Sequence, residues 1–327
     1  MRKKGKEKAK QIETVIRIAV DAMGGDWAPR EVVKGAVEAA HEINAEIVLV
    51  GQQEIIEKEL IHYNLDGIKL TIHQAEDTIN MDDDPVRAIR RKPDSSIVVG
   101  MNLVKSGAAT AFVSGGSTGA VTAAALLILG RKKHIERPAL AITFESTNGP
   151  VLFLDVGANA DCKPEHLVQF AQMGNVYMQK IFNIAEPRIG LLSNGEEAKK
   201  GHKLARSAYP LLEKTGLNFI GNIEGHGFLK GSADVVVTDG FTGNVVIKLC
   251  EGFGEVFADI IGQSSNGNTI RTKAKGRVLN HTPGALLLGV NGNVVKTHGS
   301  SDSTAINQTI HVAERMIKQK VLETIGT

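Results

Sequence analysis

Six short segments combine glycine with hydroxyl, amide, carboxylate or imidazole groups, and most of them directly follow apolar runs. In Asp21-Ala22-Met23-Gly24-Gly25-Asp26, the N–H groups of Gly24 and Gly25 can converge on an anion while Asp21 handles its proton; the spacing alone also suits a plain tight turn. Ser114-Gly115-Gly116-Ser117-Thr118-Gly119 leads into an apolar helical stretch. Its unpaired N–H groups and its three hydroxyls make a phosphate cradle of the kind found at helix N-termini, with an ordinary capped helix start as the plainer reading. It matches neither the Walker pattern nor G-x-G-x-x-G. Leu192-Ser193-Asn194-Gly195 and Thr238-Asp239-Gly240-Phe241-Thr242-Gly243-Asn244 add amide and hydroxyl donors. Lys296-Thr297-His298-Gly299-Ser300-Ser301-Asp302 places His298 and Asp302 four apart across a glycine turn, beside the hydroxyls of Ser300 and Ser301; a lone histidine is also often structural.

The sixth segment, Asp155-Val156-Gly157-Ala158-Asn159 with Asp161-Cys162-Lys163-Pro164, sets a thiol near a helix start. No base stands beside Cys162, so it reads as inert, and Cys250 sits in an apolar helical pattern as core. The histidines are dispersed without H-E-x-x-H or an equivalent ligand set, so no metal site and no cofactor are expected.

Strands and helices must position these turns. Apolar runs of strand length occur at Val15–Asp21, Glu46–Gly51, Lys69–His73, Thr110–Ser114, Ala139–Phe144, Val151–Asp155, Arg188–Leu192 and Asp234–Thr238. Helical spacing marks Pro29–Ile43, a stretch ending near Tyr63, Thr118–Leu129, Pro164–Phe182, Glu196–Leu212, Gly243–Ile261 and Ser303–Ile325. Alternation of buried strands with helices predicts an α/β fold with a mostly parallel sheet covered on both faces, and ligands beyond the carboxyl ends of its strands. Residues 1–13 read as a disordered basic tail, residues 14–327 as one α/β unit, and 263–281 as an exposed polar and basic excursion.

Composition excludes several classes. Among 327 residues, 38 Lys+Arg face 36 Asp+Glu, too balanced for a dedicated nucleic-acid binder. Two cysteines build no disulfide framework, and no apolar stretch has spanning length, so the expectation is a cytoplasmic protein, with peripheral contact at the membrane as the alternative. The 35 glycines exceed the ordinary frequency of about 7%, and many cluster after apolar runs, where backbone approaches ligand.

In order along the chain, DAMGGD (Asp21–Asp26), STGA (Ser117–Ala120), DVGAN (Asp155–Asn159), TDGFTGN (Thr238–Asn244) and HGSSD (His298–Asp302) resemble the bacterial phosphate acyltransferases of phospholipid synthesis. The resemblance runs from about Ile16 to Ala313. It implies a three-layer α/β/α fold of the isopropylmalate-dehydrogenase and phosphotransacetylase type, a homodimer, and fatty acyl transfer from acyl carrier protein to inorganic phosphate. The acyl-phosphate product would then feed a membrane glycerol-3-phosphate acyltransferase. Trp27 stands where the family has histidine, and Gly116-Ser117 where it has Gly-Asn. The excursion is more polar than the family's membrane-touching tip.

Phosphate attack on a thioester needs no enzyme nucleophile, because a thiolate leaves readily. The expected site therefore binds phosphate through Gly24, Gly25, Ser114, Gly115, Ser117, Thr118, Gly119, Ser300 and Ser301. Asp302 or Asp21 manages the phosphate proton, and His298 and Asn194 polarise. Arg271, Lys273, Lys275 and Arg277 would dock the acidic carrier protein, with a merely solvated basic loop as the alternative. Two other readings are an NAD-dependent hydroxy-acid dehydrogenase of related fold and a noncatalytic carrier-binding scaffold.

Overall fold

Parallel pairing begins with β1 (Arg17–Asp21), flanked by β2 (Glu46–Gly51) and β4 (Ala111–Ser114), with β3 (Leu70–Gln74) outside β2. Ile18, Ala19, Val20, Ile47 and Leu49 are buried, as expected of β-branched and aliphatic runs covered on both faces. The computed structural model describes residues 15–262 and 283–326. The expected tail at 1–13 and the excursion at 263–281, with Arg271, Lys273, Lys275 and Arg277, lie outside the described residues.

The remaining strands are β5 (Ala139–Ser146), β6 (Gly149–Leu154), β7 (Ile189–Leu192), β8 (Phe219–Ile223), β9 (Val235–Val237), β10 (Ala285–Leu288) and β11 (Asn293–Lys296). All eleven form one sheet in the order β3-β2-β1-β4-β11-β10-β5-β6-β9-β7-β8. From β3 to β11 the strands run parallel; β10 opposes both β11 and β5, and β5 opposes β6, after which β6, β9, β7 and β8 again run parallel. The two parallel blocks therefore point in opposite directions. Turns after β1, β4 and β11 leave one rim of the sheet; turns after β6, β7 and β9 leave the other. The carboxyl ends of the strands, where the sequence places the ligand, therefore do not share one rim, because β5 and β10 reverse the strand direction in the middle.

Helices α1 (Arg30–Glu42), α6 (Pro164–Phe182), α7 (Lys203–Leu212) and α10 (Ser303–Lys318) cover one face. Helices α4 (Ser96–Lys105), α5 (Thr118–Ala124) and α9 (Gly240–Gly262) cover the other together with the short α8 (Gly225–Leu229) against β5, with α3 (Pro85–Arg91) resting against α5 and α2 (Gln53–Leu60) against α1. A π-turn, Ala125–Leu129, prolongs α5 and closes on Gly130, whose N–H donates to the Ala125 carbonyl. Small residues let these layers approach. Gly100 lies flat on the Phe112 ring, and a Cβ at Gly243 would collide with the Asp155 carbonyl oxygen.

Candidate active site

Three glycine turns from one rim interlock. The N–H of Asp26 donates to the Gly299 carbonyl at 2.8 Å, tying the turn after β1 to the turn after β11. A Cβ at Gly115 would lie 2.7 Å from the Gly24 carbonyl oxygen, so only glycine lets the turn after β4 reach that close. Beneath them, the Ser114 hydroxyl donates to Asp21 Oδ2 at 2.6 Å and accepts from the Gly116 N–H. The Met23 N–H donates to the other Asp21 oxygen. Asp21 is 1% exposed, and burial pushes its pKa upward against those hydrogen bonds.

Two turns from the opposite rim interlock in the same way. Asp155, fully buried, accepts from the N–H groups of Leu140, Gly157, Ala158 and Asn159 and from the Asn159 amide. Burial raises its pKa while these donors oppose it. Asp239 caps α9 by accepting from the Thr242 N–H and hydroxyl. The site therefore rests on three carboxylates, Asp21, Asp155 and Asp239, that hold backbone.

Between the two groups, on the sheet face over β5 and β10, lies a cavity of about 270 Å³. Thr118, Lys296 and His298 come from one rim and Val156, Gly157 and Asn244 from the other, while Ile247, Lys248 and Glu251 of α9 roof it and Leu140, Ile142 and Ala285 form an apolar floor. Burial, reinforced by Lys248, lowers the Lys296 ammonium to about 8. Lys248 Nζ stands 3.9 Å from Glu251 Oε2. His298 Nδ1 lies 2.8 Å from the Ser300 hydroxyl and accepts from the Ser300 N–H at 3.2 Å. A backbone N–H can only donate, so Nδ1 is unprotonated and the proton of the neutral ring sits on Nε2. Burial, then the Lys296 charge, depresses the His298 pKa and keeps the ring neutral.

Of the residues expected to bind or react, His298 and Thr118 line this cavity. Gly24, Gly25, Ser114 and Gly115 do not line it: their turns pack on one another and on Gly299, with the Ser114 hydroxyl committed to Asp21. Ser117 and Gly119 begin α5, whose first N–H groups have no backbone acceptor among the described residues. Ser300 orients His298, and Ser301 shares a 2.7 Å hydrogen bond with Thr297. Asp21 is too buried to meet phosphate. Asp302 is the N-cap of α10, accepting from the Ala305 N–H, and does not line the cavity. Asn194 is exposed on the turn after β7 and accepts from the Gly201 N–H, again outside the cavity. Burial and the nearby Asp155 charge push the Cys162 thiol up to about 12, in keeping with an inert sulfur.

Sequence reasoning missed Lys296, Lys248 and Glu251. Asn244, Lys248 and Glu251 are spaced by four and three, one helical face, so the pattern was there to find. Lys296 carried no such signal; its position follows from β11 pairing with Ser114 of β4 and Ala285 of β10.

A mixed α/β sheet thus carries a hollow whose lining combines two lysines and an imidazole with an apolar floor. The profile of the family described as "Fatty acid synthesis protein" matches residues 16–324. The chain is 46% identical over 324 residues to a phosphate acyltransferase of Moorella thermoacetica, with 95% of each chain covered. A phosphate acyltransferase of Halothermothrix orenii is 45% identical over 326 residues, covering 95% of this chain and 97% of that one. Among solved structures, a phosphotransacetylase from Streptococcus pyogenes superposes with TM-score 0.63 at 21% identity, over 93% of this chain and 94% of that one. A 4-hydroxythreonine-4-phosphate dehydrogenase from Klebsiella pneumoniae gives 0.55 at 12% identity, over 93% and 99%, and shows the fold alone. The chain belongs to the phosphate acyltransferase family of fatty acid and lipid synthesis and is an acyltransferase, which sets aside the dehydrogenase and scaffold readings. Among the described residues, no helix is long and apolar enough to cross a membrane, and no group of histidine, cysteine or carboxylate side chains could hold a metal ion.

Proposed function

We propose that the enzyme transfers a fatty acyl group from an acyl carrier protein thioester to inorganic phosphate, releasing acyl-phosphate and the carrier thiol. The observation that supports this most directly is the joint placement of Lys296, Thr118 and neutral His298 above the apolar floor of Leu140 and Ile142. Lys296 and the Thr118 end of α5 hold phosphate. The first carbons of the acyl chain lie on the floor, and His298 Nε2–H donates to the carbonyl oxygen as it becomes an oxyanion. One phosphate oxygen forms the new bond to the carbonyl carbon. The carbon–sulfur bond breaks, and the phosphate proton passes to the departing thiolate, whose thiol has a pKa of about 8.5 by analogy with cysteine. Fixing phosphate against the carbonyl supplies on the order of 7–11 kcal/mol at best, and one oxyanion donor about 3–4.

The same reading makes acyl-phosphate the substrate of a membrane glycerol-3-phosphate acyltransferase. It also makes the enzyme a homodimer. An exposed row on α9, Phe241, Val245, Leu249 and Phe253, supports a covered face; a monomer in sedimentation velocity overturns that element. The test of the reaction is incubation with carrier thioester and phosphate. Thiol release together with a hydroxylamine-trapped acyl product, both dependent on phosphate, is expected. Thiol release that ignores phosphate sinks the proposal.

A further inference from the structure

A second chamber, of about 370 Å³, opens where β5 begins and is lined by Arg131, Arg137, Lys163, His166, Pro138 and Leu126, with Glu136 at its side. Glu136 is engaged by His166, at 3.4 Å, and Arg131 donates to the Glu136 carbonyl. Among the described residues, no carboxylate pairs with the side chains of Arg137 or Lys163. Three permanent cations thus face one small hollow against a single carboxylate, an arrangement that wants an anion.

Its position relates it to the active site. Leu140 and Ile142 share one face of β5 and line the acyl-transfer cavity, and Pro138, immediately before the strand, lines the chamber. The step from Pro138 to Ile142 is roughly 13 Å at strand rise. On the flanking helix, Thr118 faces the cavity and Leu126 the chamber, about 12 Å apart at helical rise. A pantetheine arm, two amide units and a short alcohol link, reaches on the order of 15 Å from sulfur to phosphate when extended.

We infer that this chamber is a second anion site, which takes the phosphate ester at the far end of the thioester donor's pantetheine arm while the acyl carbon sits under His298. The inference rests on the acyl-transfer reading above. Carrier-borne phosphopantetheine and coenzyme A share this phosphate ester. The Arg137→Gln/Lys163→Gln variant is compared with wild type on three long-chain acyl donors: the carrier thioester, the coenzyme A thioester and the thioester of pantetheine lacking phosphate. The KM for a phosphate-bearing donor should rise about tenfold relative to the pantetheine thioester, the typical worth of a charged hydrogen bond. A rise confined to the carrier donor or to the coenzyme A donor identifies the natural source, and the charge-preserving pair Arg137→Lys/Lys163→Arg should restore wild-type KM. Equal changes on all three donors, or none, overturn the assignment. If wild type acylates phosphate from no donor, the parent reading fails instead; displacement of a labelled phosphopantetheine probe from wild type but not from the variant still reports on the chamber.

Discussion

Ser114 and Asp21, 93 residues apart, share a 2.6 Å hydrogen bond inside the core, and it clamps the turn after β1 to the turn after β4. The carboxylate that the sequence presents as a reactive group is an internal strut. Ser114→Ala leaves a buried carboxylate short of a donor, which costs about 1–3 kcal/mol. Asp21→Asn keeps an acceptor for the same hydroxyl. The expected result is a lowered Tm for the alanine variant, and turnover within about threefold of wild type for Asp21→Asn, whereas loss of a general base costs about 10²–10⁴.

His298 presents a neutral Nε2–H because Ser300 occupies Nδ1. Protonation of Nδ1 would break that arrangement, and the depressed pKa postpones protonation to below the ordinary imidazole value. Turnover should therefore hold as pH falls to about 6.5 and decline beneath it. His298→Gln should lower kcat by about 10²–10³ and remove that acid limb from the kcat profile. An unchanged acid limb in the variant excludes His298 as its origin.

Lys296, lowered to about 8, is charged below that pH and neutral above it. The KM for phosphate should climb above pH 8 and stay low beneath. Lys296→Arg keeps its charge throughout and should flatten the alkaline rise, while Lys296→Met should show a high KM at every pH. Initial rates at varied phosphate, with carrier thioester saturating, give the answer directly.

Cys162 carries a thiol that stays protonated at neutral pH. Cys162→Ser should retain wild-type turnover, and iodoacetamide at neutral pH should not inactivate the wild-type enzyme through this sulfur. An acyl-cysteine isolated at position 162 would replace direct phosphate attack with a two-step route.

The long elements were legible because their burial pattern is local. Val20, Leu49 and Val113 read as strands from their neighbours alone, and the Val32 to Ala40 spacing read as a helix. Helices α3, α4 and α8, and strands β8, β10 and β11, escaped because four to ten residues seen without partners give little periodicity. Missing β10 and β11 mattered most, since Ala285–Leu288 reverses the strand direction and Asn293–Lys296 delivers Lys296 to the cavity. The glycine turns were found by type, yet their division of labour was not. Whether Gly24 or Thr118 faces the hollow depends on which turn lies beneath which, and that contact spans some hundred residues of chain.

The pair β10–β11 comes from the last stretch of the chain but sits between β4 and β5 in the finished sheet. During synthesis, the ribosome releases both of those strands long before anything exists to fill the gap. Each emerging molecule must spend that interval with two raw strand borders facing solvent, the condition under which sheets stick to strangers. A nascent copy halted before residue 285 should accordingly be insoluble or chaperone-bound rather than a smaller working enzyme, and its catalytic hollow closes only when about the final eighth of the protein arrives.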